Sequence, residues 1–222
     1  MSRDRLDPLL TTHTGFQRVS PELVTAASGL SAATLHEAAG RIGVMPTAIK
    51  PLRDDWKLCA PVYTVQVPAG DNLWLHRAIY AAAPGDVLVV NCSGGYDFGY
   101  WGEVMATAAL ARGLAGLVID GGVRDAELLR QMAFPVFARR PTIRGTVKDF
   151  GARGWLGAPT LFDDLVVNSG DLLFGDTDGV VVIPHVKVAE AITSSHKREA
   201  FEVDVMARLK AGETTLDMMN LA

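Results

Sequence analysis

The 222-residue chain has only two cysteines, Cys59 and Cys92, each beside apolar neighbours and far from the other. That excludes a disulfide framework and the paired spacing of a structural zinc site, and it suits a reducing compartment. No run of about 18 apolar residues is present to span a bilayer. The opening Met-Ser-Arg-Asp-Arg-Leu-Asp also lacks the apolar stretch of a secretory signal. A cytoplasmic location with no membrane partner is expected. Positive charge is not in excess: 21 Lys and Arg against 25 Asp and Glu give a net charge of −4. This supplies no general pull toward nucleic acid, so small molecules and protein are the expected partners. Internal repeats and low-complexity tracts are absent. His36, His76, His185 and His196 form no close ligand pair and read as packing or surface residues.

Hydrophobic residues make up 49% of the chain and charged residues 21%, enough to build one ordinary globular core. The pattern predicts a helical arm over residues 1–45, with helices at Pro21–Ala27 and Leu35–Ala39 and Ser31 as an N-cap. An α/β core follows over 46–185, where helical and strand-like segments alternate. Strands are expected at 61–67, 87–90, 116–119, 135–137, 165–167, 171–174 and 180–183. Helices are expected at 71–83, 103–112 and 125–132, with a glycine-rich loop over 93–102 and a hairpin turn at Asp178-Gly179. The polar helical pattern from Val186 to Ala211 predicts a C-terminal extension, 186–222, lying across the surface or against a neighbouring subunit.

The stretch from Gly94 to Asp125 carries the chemistry. Gly102-Glu103 and Arg124-Asp125 both fall at loop-to-helix junctions. Glycines let backbone approach a ligand, and the amides of Glu103, Val104 and Met105 open a helix whose positive end suits a carboxylate. Arg124 adds a planar fork that can hold a carboxylate through two parallel hydrogen bonds. Asp125 and Glu103 are hard oxygen donors of the sort magnesium or manganese accepts. Singly, each has a plainer reading: Asp125 as an N-cap, Glu103 as a helix-dipole partner, Arg124 as a surface ion pair. Arg139, Arg140, Arg144, Lys148 and Arg153 read as a solvated basic face, and Asp176-Thr177-Asp178-Gly179 as a tight turn.

Glu103 and Arg124-Asp125 are separated by 20 residues. This spacing resembles the acidic-X20-Arg-Asp signature of the class II pyruvate aldolases of the 4-hydroxy-4-methyl-2-oxoglutarate aldolase and regulator of ribonuclease activity A family. Similarity extends through Thr34–Ala38, Gly70-Asp71-Asn72, Pro84–Val90, Gly145–Lys148 and Asp176–Val180. The resemblance implies a single-domain α-β-β-α sandwich like the swivelling phosphohistidine domain, assembled as a homotrimer or homohexamer. It implies Mg2+ or Mn2+ bound directly by Asp125 and through water by Glu103. Arg124 would bind substrate and polarise its carbonyl, while Gly102, Glu103, Val104 and Met105 line the 2-oxo acid. Glu37 would support protonation of the enolate, and Glu199 or Glu202 would reach a neighbouring subunit's site. Glu103 stands where many members carry aspartate.

The implied activity is metal-dependent cleavage of 4-hydroxy-4-methyl-2-oxoglutarate or 4-carboxy-4-hydroxy-2-oxoadipate to pyruvate and a second 2-oxo acid, together with oxaloacetate decarboxylation. The alternative is a non-catalytic regulator of the same fold that binds a ribonuclease. A methyltransferase is disfavoured, because no strand-loop glycine motif with an acidic ribose partner is present.

Overall fold

The computed structural model describes residues 11–221, so the first ten residues of the expected arm lie outside it. Helices α1 (Pro21–Ala27) and α2 (Ala32–Ala38) lead into β1 (Lys50–Pro51), β2 (Leu58–Gln66), α3 (Leu73–Ala81), β3 (Val87–Asn91) and β4 (Gly99–Trp101). Next come α4 (Glu103–Ala111), β5 (Gly116–Val123), α5 (Ala126–Gln131), β6 (Val136–Pro141), β7 (Trp155–Leu156), β8 (Thr160–Phe162) and β9 (Leu165–Val167). The hairpin β10 (Leu172–Gly175) and β11 (Val180–Ile183) precedes α6 (Val188–Lys210) and the short α7 (Thr215–Met218). None of the described helices is long and apolar enough to cross a membrane.

The main sheet runs β1-β6-β5-β3-β2-β10-β11, with β4 paired to β5 and β7 to β2. Its centre, β2-β3-β5-β6, is parallel, and β10 and β11 continue it antiparallel. Alternating side chains divide the interior into three layers, as the period of two along a strand requires. Leu88, Val90, Leu117 and Ile119 pack with Trp74, Ile79, Ala106 and Leu129 of the helices α3, α4 and α5. From the same strands Val87, Val89 and Val118 face Leu173, Val180 and Val182, so one part of the sheet packs on the other. Phe174, Val181 and Ile183 bury the outer face against Ala27, Leu35, Val188 and Ala191 of α1, α2 and α6. The order of layers is α-β-β-α, as the resemblance implied.

Most expected elements are present, with Ser31 capping α2 through the Thr34 amide and the β10–β11 hairpin turning at Asp178-Gly179. The segment expected as a loop over 93–102 contains β4, held by its pairing with β5 rather than by a local pattern. β5 runs four residues past the expected Ile119, through Asp120-Gly121-Gly122-Val123. A Cβ at Gly122 would collide with the Thr142 side chain and come within 2.7 Å of the Phe98 carbonyl, so tight strand packing explains the glycine. The helix expected from Asp71 begins at Leu73, because buried Asp71 accepts the Leu73 amide at 2.8 Å and the Asp149 amide instead. That bond, with the Val147 amide on the Gly70 carbonyl (2.9 Å) and the Asn72 amide on the Val147 carbonyl (3.1 Å), brings the segment 142–149 against the start of α3.

Candidate active site

Strands β4 and β5 lie side by side and end at the same edge, so α4 and the β5–α5 turn start next to one another. Gly102 is the extended N-cap of α4 and has no side chain with which to cap it. The Asp125 carboxylate fills that role from the neighbouring junction: its Oδ2 accepts the Glu103 amide at 3.2 Å. A Cβ at Gly102 would occupy the place of Asp125 Oδ2 and stand 3.2 Å from Arg124 Cγ, so only glycine permits this approach.

Asp125 occupies the N-cap position of α5 but does not cap it. Its backbone is left-handed (φ 55°, ψ 35°), and its side chain makes no bond to the helix it precedes. A residue with a Cβ is mildly strained there, although aspartate tolerates the region better than most, and Arg41, Ser93, Asp163 and Asn220 share it. The simple capping reading of Asp125 therefore fails.

Arg124 is anchored through its amide on the Trp101 carbonyl at 2.8 Å, while its side chain is 55% exposed. Its Nε lies 3.9 Å from Asp125 Oδ2, beyond hydrogen-bonding reach, so the donor fork stays open to a ligand. Of the three amides expected to meet a carboxylate, Glu103 is engaged by Asp125 and Met105 by the Gly102 carbonyl at 3.1 Å. Among the described residues no acceptor is paired with the Val104 amide. The donor set is smaller than the sequence suggested because the first turn is partly closed on itself.

These residues open onto a cavity of about 200 Å³ lined by Gly102, Val104, Met105, Arg124 and Asp125 and also by Asn72, His76, Tyr100 and Lys148. The second group was missed in the sequence. His76 and Lys148 were read as packing and solvated residues, although Asn72 and Lys148 end two of the blocks that carry the family resemblance. The basic cluster divides in the structure. Arg139 pairs with Asp120 at 2.6 Å and stacks on Tyr96, Arg140 pairs with Asp97 at 2.6 Å, and Arg144 lies over the Phe98 ring. Lys148 instead faces the cavity. Tyr100 holds the floor by donating its hydroxyl to the Gly95 carbonyl at 2.8 Å and accepting the Gly70 amide at 2.7 Å. Burial raises its pKa well above the ordinary phenol value, so it remains a neutral structural group.

Glu37, Glu199 and Glu202 are not part of this cavity. Glu37 pairs with Arg41 at 3.1 Å and lies 3.7 Å from Arg198, which pairs with Glu202 at 2.8 Å; Glu199 lies 3.3 Å from His196. The structure thus gathers the three carboxylates on the α2–α6 layer, apart from Arg124 and Asp125.

Among the described residues no group of three or more His, Cys, Asp or Glu side chains is arranged as a metal cage. Among the described residues Asp125 is the one carboxylate lining the cavity, and none of them hydrogen-bonds its Oδ1. This donor set fits a hard ion such as magnesium, which keeps most of its waters and needs few protein carboxylates. It does not fit the closed sulfur and nitrogen cage of structural zinc.

Two measurements check these assignments. Since left-handed backbone penalises a Cβ, Asp125→Gly should be more stable than Asp125→Ala by about 1 kcal/mol in urea unfolding. Equal stabilities would remove the strain argument. His76 is pushed below its ordinary pKa of 6.5, first by burial and then by Lys148. Between the lowered folded value and 6.5 the unfolded chain binds the proton more tightly, so stability should rise with pH across that window and the His76 contribution should be lost below it. An NMR titration of His76 should show a midpoint under 6.5 that moves up in Lys148→Met.

The model of the RraA-like family, described as Aldolase/RraA, matches residues 23–182. A Halalkalibacterium halodurans protein, provisionally named 4-hydroxy-4-methyl-2-oxoglutarate aldolase, is 35% identical over 156 residues, covering 70% of this chain and 73% of its own. A Streptomyces coelicolor structure, RraAS2, described as an unusual member of the RNase ES inhibitor RraA family, superposes with a TM-score of 0.75 at 29% identity. It covers 86% of this chain and all of that one. An uncharacterized Pseudomonas syringae pv. tomato protein gives a TM-score of 0.76 at 25% identity over 90% of this chain and 97% of its own. With a family model spanning residues 23–182 and the same fold in these relatives, the chain belongs to the RraA-like (aldolase/RraA) family.

Proposed function

We propose that this protein is a divalent-metal-dependent carbon–carbon lyase. It cleaves 4-hydroxy-4-methyl-2-oxoglutarate or 4-carboxy-4-hydroxy-2-oxoadipate to pyruvate and a second 2-oxo acid, and it decarboxylates oxaloacetate. The observation that carries the reading is Asp125, held in strained backbone with its carboxylate turned from its own helix toward the start of α4, beside the open fork of Arg124. The name of the Halalkalibacterium relative supports the same class.

Mg2+ or Mn2+ bound at Asp125 would supply Lewis-acid stabilisation of the negative charge that develops on the 2-oxo acid as its bond breaks. The chain's own groups do the rest. Arg124 holds the 2-oxo acid and orients its carbonyl, and the Val104 amide at the positive end of α4 donates to its carboxylate. Glu103, whose amide in the first turn of α4 bonds to Asp125, would hold water near such an ion. As the C4 hydroxyl gives up its proton, the C3–C4 electron pair moves into the pyruvate fragment, and C4 leaves as the carbonyl of the second product. A proton delivered to C3 completes pyruvate.

Glu37 is the proposed acid-supporting group, and Glu199 or Glu202 a further carboxylate. Because all three lie on the α2–α6 layer, they reach a cavity of this kind from another copy of the chain. A homotrimer or homohexamer with the site between subunits follows from that role. Phe201, Val203 and Met206, all more than half exposed on α6, give such a contact apolar area. The second reading, a regulator that binds a ribonuclease, draws on the Streptomyces relative.

Pyruvate release from oxaloacetate and from 4-hydroxy-4-methyl-2-oxoglutarate should require Mg2+ or Mn2+, stop on chelation and fall by at least about 100-fold in Asp125→Ala, the size of losing one preorganised electrostatic group. A folded, metal-loaded protein that releases no pyruvate from either acid, yet binds a ribonuclease, would favour the regulator. Mixing and reassembling inactive Asp125→Ala and Glu37→Gln chains should restore part of the activity, since each mixed interface can join one intact half from each chain. Full activity of Glu37→Gln by itself would place Glu37 outside the site, and no recovery on mixing would overturn its action across the interface.

A further inference from the structure

We infer that Asp71 is a positioning residue for this cavity. One oxygen of its buried carboxylate fixes the start of α3 and the other fixes the chain just after Lys148, so that Asn72, His76 and Lys148 are held at the cavity together. The kinetic consequence of this role rests on the lyase reading above; the placement itself does not.

Asp71 is 2% exposed, and among the described residues its carboxylate is met by backbone amides rather than by a cation. Oδ1 accepts the Leu73 amide at 2.8 Å, and Oδ2 accepts the Asp149 amide. Asn72, in the N-cap position of α3, makes no side-chain bond to its helix, so Asp71 supplies the cap from one residue earlier. Serine, threonine or asparagine would serve that one bond as well, without the cost of burying a charge. What a carboxylate adds is a second acceptor oxygen, and here it reaches a residue 78 positions along the chain.

The segment that carries Lys148 has little burial of its own to hold it. Ile143 is 97% and Val147 63% exposed, and Lys148 and Asp149 are exposed as well. Its position comes from hydrogen bonds instead: the Gly99 amide on the Arg144 carbonyl, the Val147 amide on the Gly70 carbonyl and the Asn72 amide on the Val147 carbonyl. These fix the chain before Lys148, and the Asp71 carboxylate fixes it after. Pinned on both sides, Lys148 lines the cavity close enough to His76 to disfavour the imidazolium. The other oxygen of Asp71 sets the first turn of α3, from which Asn72 and His76 line the same cavity, the His76 amide donating to the Asn72 carbonyl at 3.3 Å. Without the bond to Asp149, Lys148 is held on one side only.

The test uses Asp71→Asn and Lys148→Met, singly and combined. Asparagine keeps the size and one acceptor oxygen but turns an N–H toward the second amide donor. If Asp71→Asn does not fold, Asp71→Ser, whose hydroxyl can accept the Leu73 amide alone, is read in its place. The first readout is an NMR titration of His76, which reports how near Lys148 lies without substrate or metal. Its midpoint should rise in the Asp71 variant, because a released Lys148 no longer opposes the proton, and the combined variant should stand no higher than Lys148→Met. A loosened α3 alone would raise the midpoint equally in the Lys148→Met background. The second readout is pyruvate release from oxaloacetate with magnesium. Displacing a cation that meets substrate and transition state alike should raise KM by up to about 5-fold, the size of one exposed charge interaction, with kcat held and no further rise in the combined variant. An unchanged His76 midpoint in the Asp71 variant, or an equal rise with and without Lys148, overturns the inference. A raised midpoint with an unchanged KM overturns its part in binding. If the original protein releases no pyruvate, the lyase reading falls, and the titration still decides whether Asp71 holds Lys148 at the cavity.

Discussion

The bond from the Glu103 amide to Asp125 Oδ2 joins two loop-to-helix junctions that are 22 residues apart in the chain. The placement of the Asp125 carboxylate depends on it. It places Asp125 at the positive end of α4, requires glycine at position 102 and keeps Asp125 from capping α5. The pairing of β4 with β5 makes the bond possible by ending both strands at one edge, and the β5–β3 pairing holds that edge in the sheet. The strain in Asp125 is thus supported by buried parallel strands, which are the stiffest part of such a fold. A flexible loop could not hold the same backbone at equilibrium, since relaxation to ordinary dihedrals would release the carboxylate.

The fold was legible where local pattern and tertiary burial agree. β3, β10 and β11 are short apolar runs between turn residues, and α2 begins at the serine that caps it. It was obscured where a non-local partner decides the outcome. Gly99-Tyr100-Trp101 has no strand alternation to read and becomes β4 through β5 alone, and Asp120-Gly121-Gly122 would end a strand in most settings. Within the candidate site, the residues separated by a fixed spacing in one continuous segment, Gly102 to Asp125, were visible because the strand–helix–strand unit converts that spacing directly into proximity. Asn72, His76 and Lys148 were not, because they converge through contacts between Gly70–Asn72 and Val147–Asp149 that no local rule foretells.

The three glutamates show the opposite case. Glu37 is far in sequence from Glu199 and Glu202, yet the α2–α6 packing joins Glu37 and Glu202 through Arg198, while Glu199 on the same helix pairs with His196. Their grouping is a tertiary fact and their distance from Arg124 and Asp125 is another. Together these give the layer two separate roles within one chain: its inner face covers Phe174, Val181 and Ile183, while its outer face carries carboxylates and unburied apolar residues. An outer face that is both charged and apolar is suited to contact a surface where the charges meet partners and the apolar groups are covered.

The cavity itself is electrostatically lopsided. Arg124 and Lys148 both line it, and among the described residues Asp125 is the single carboxylate that does. A divalent ion at Asp125 would make the imbalance larger, so the loaded site would attract anions strongly and a neutral ligand would gain little from entering it.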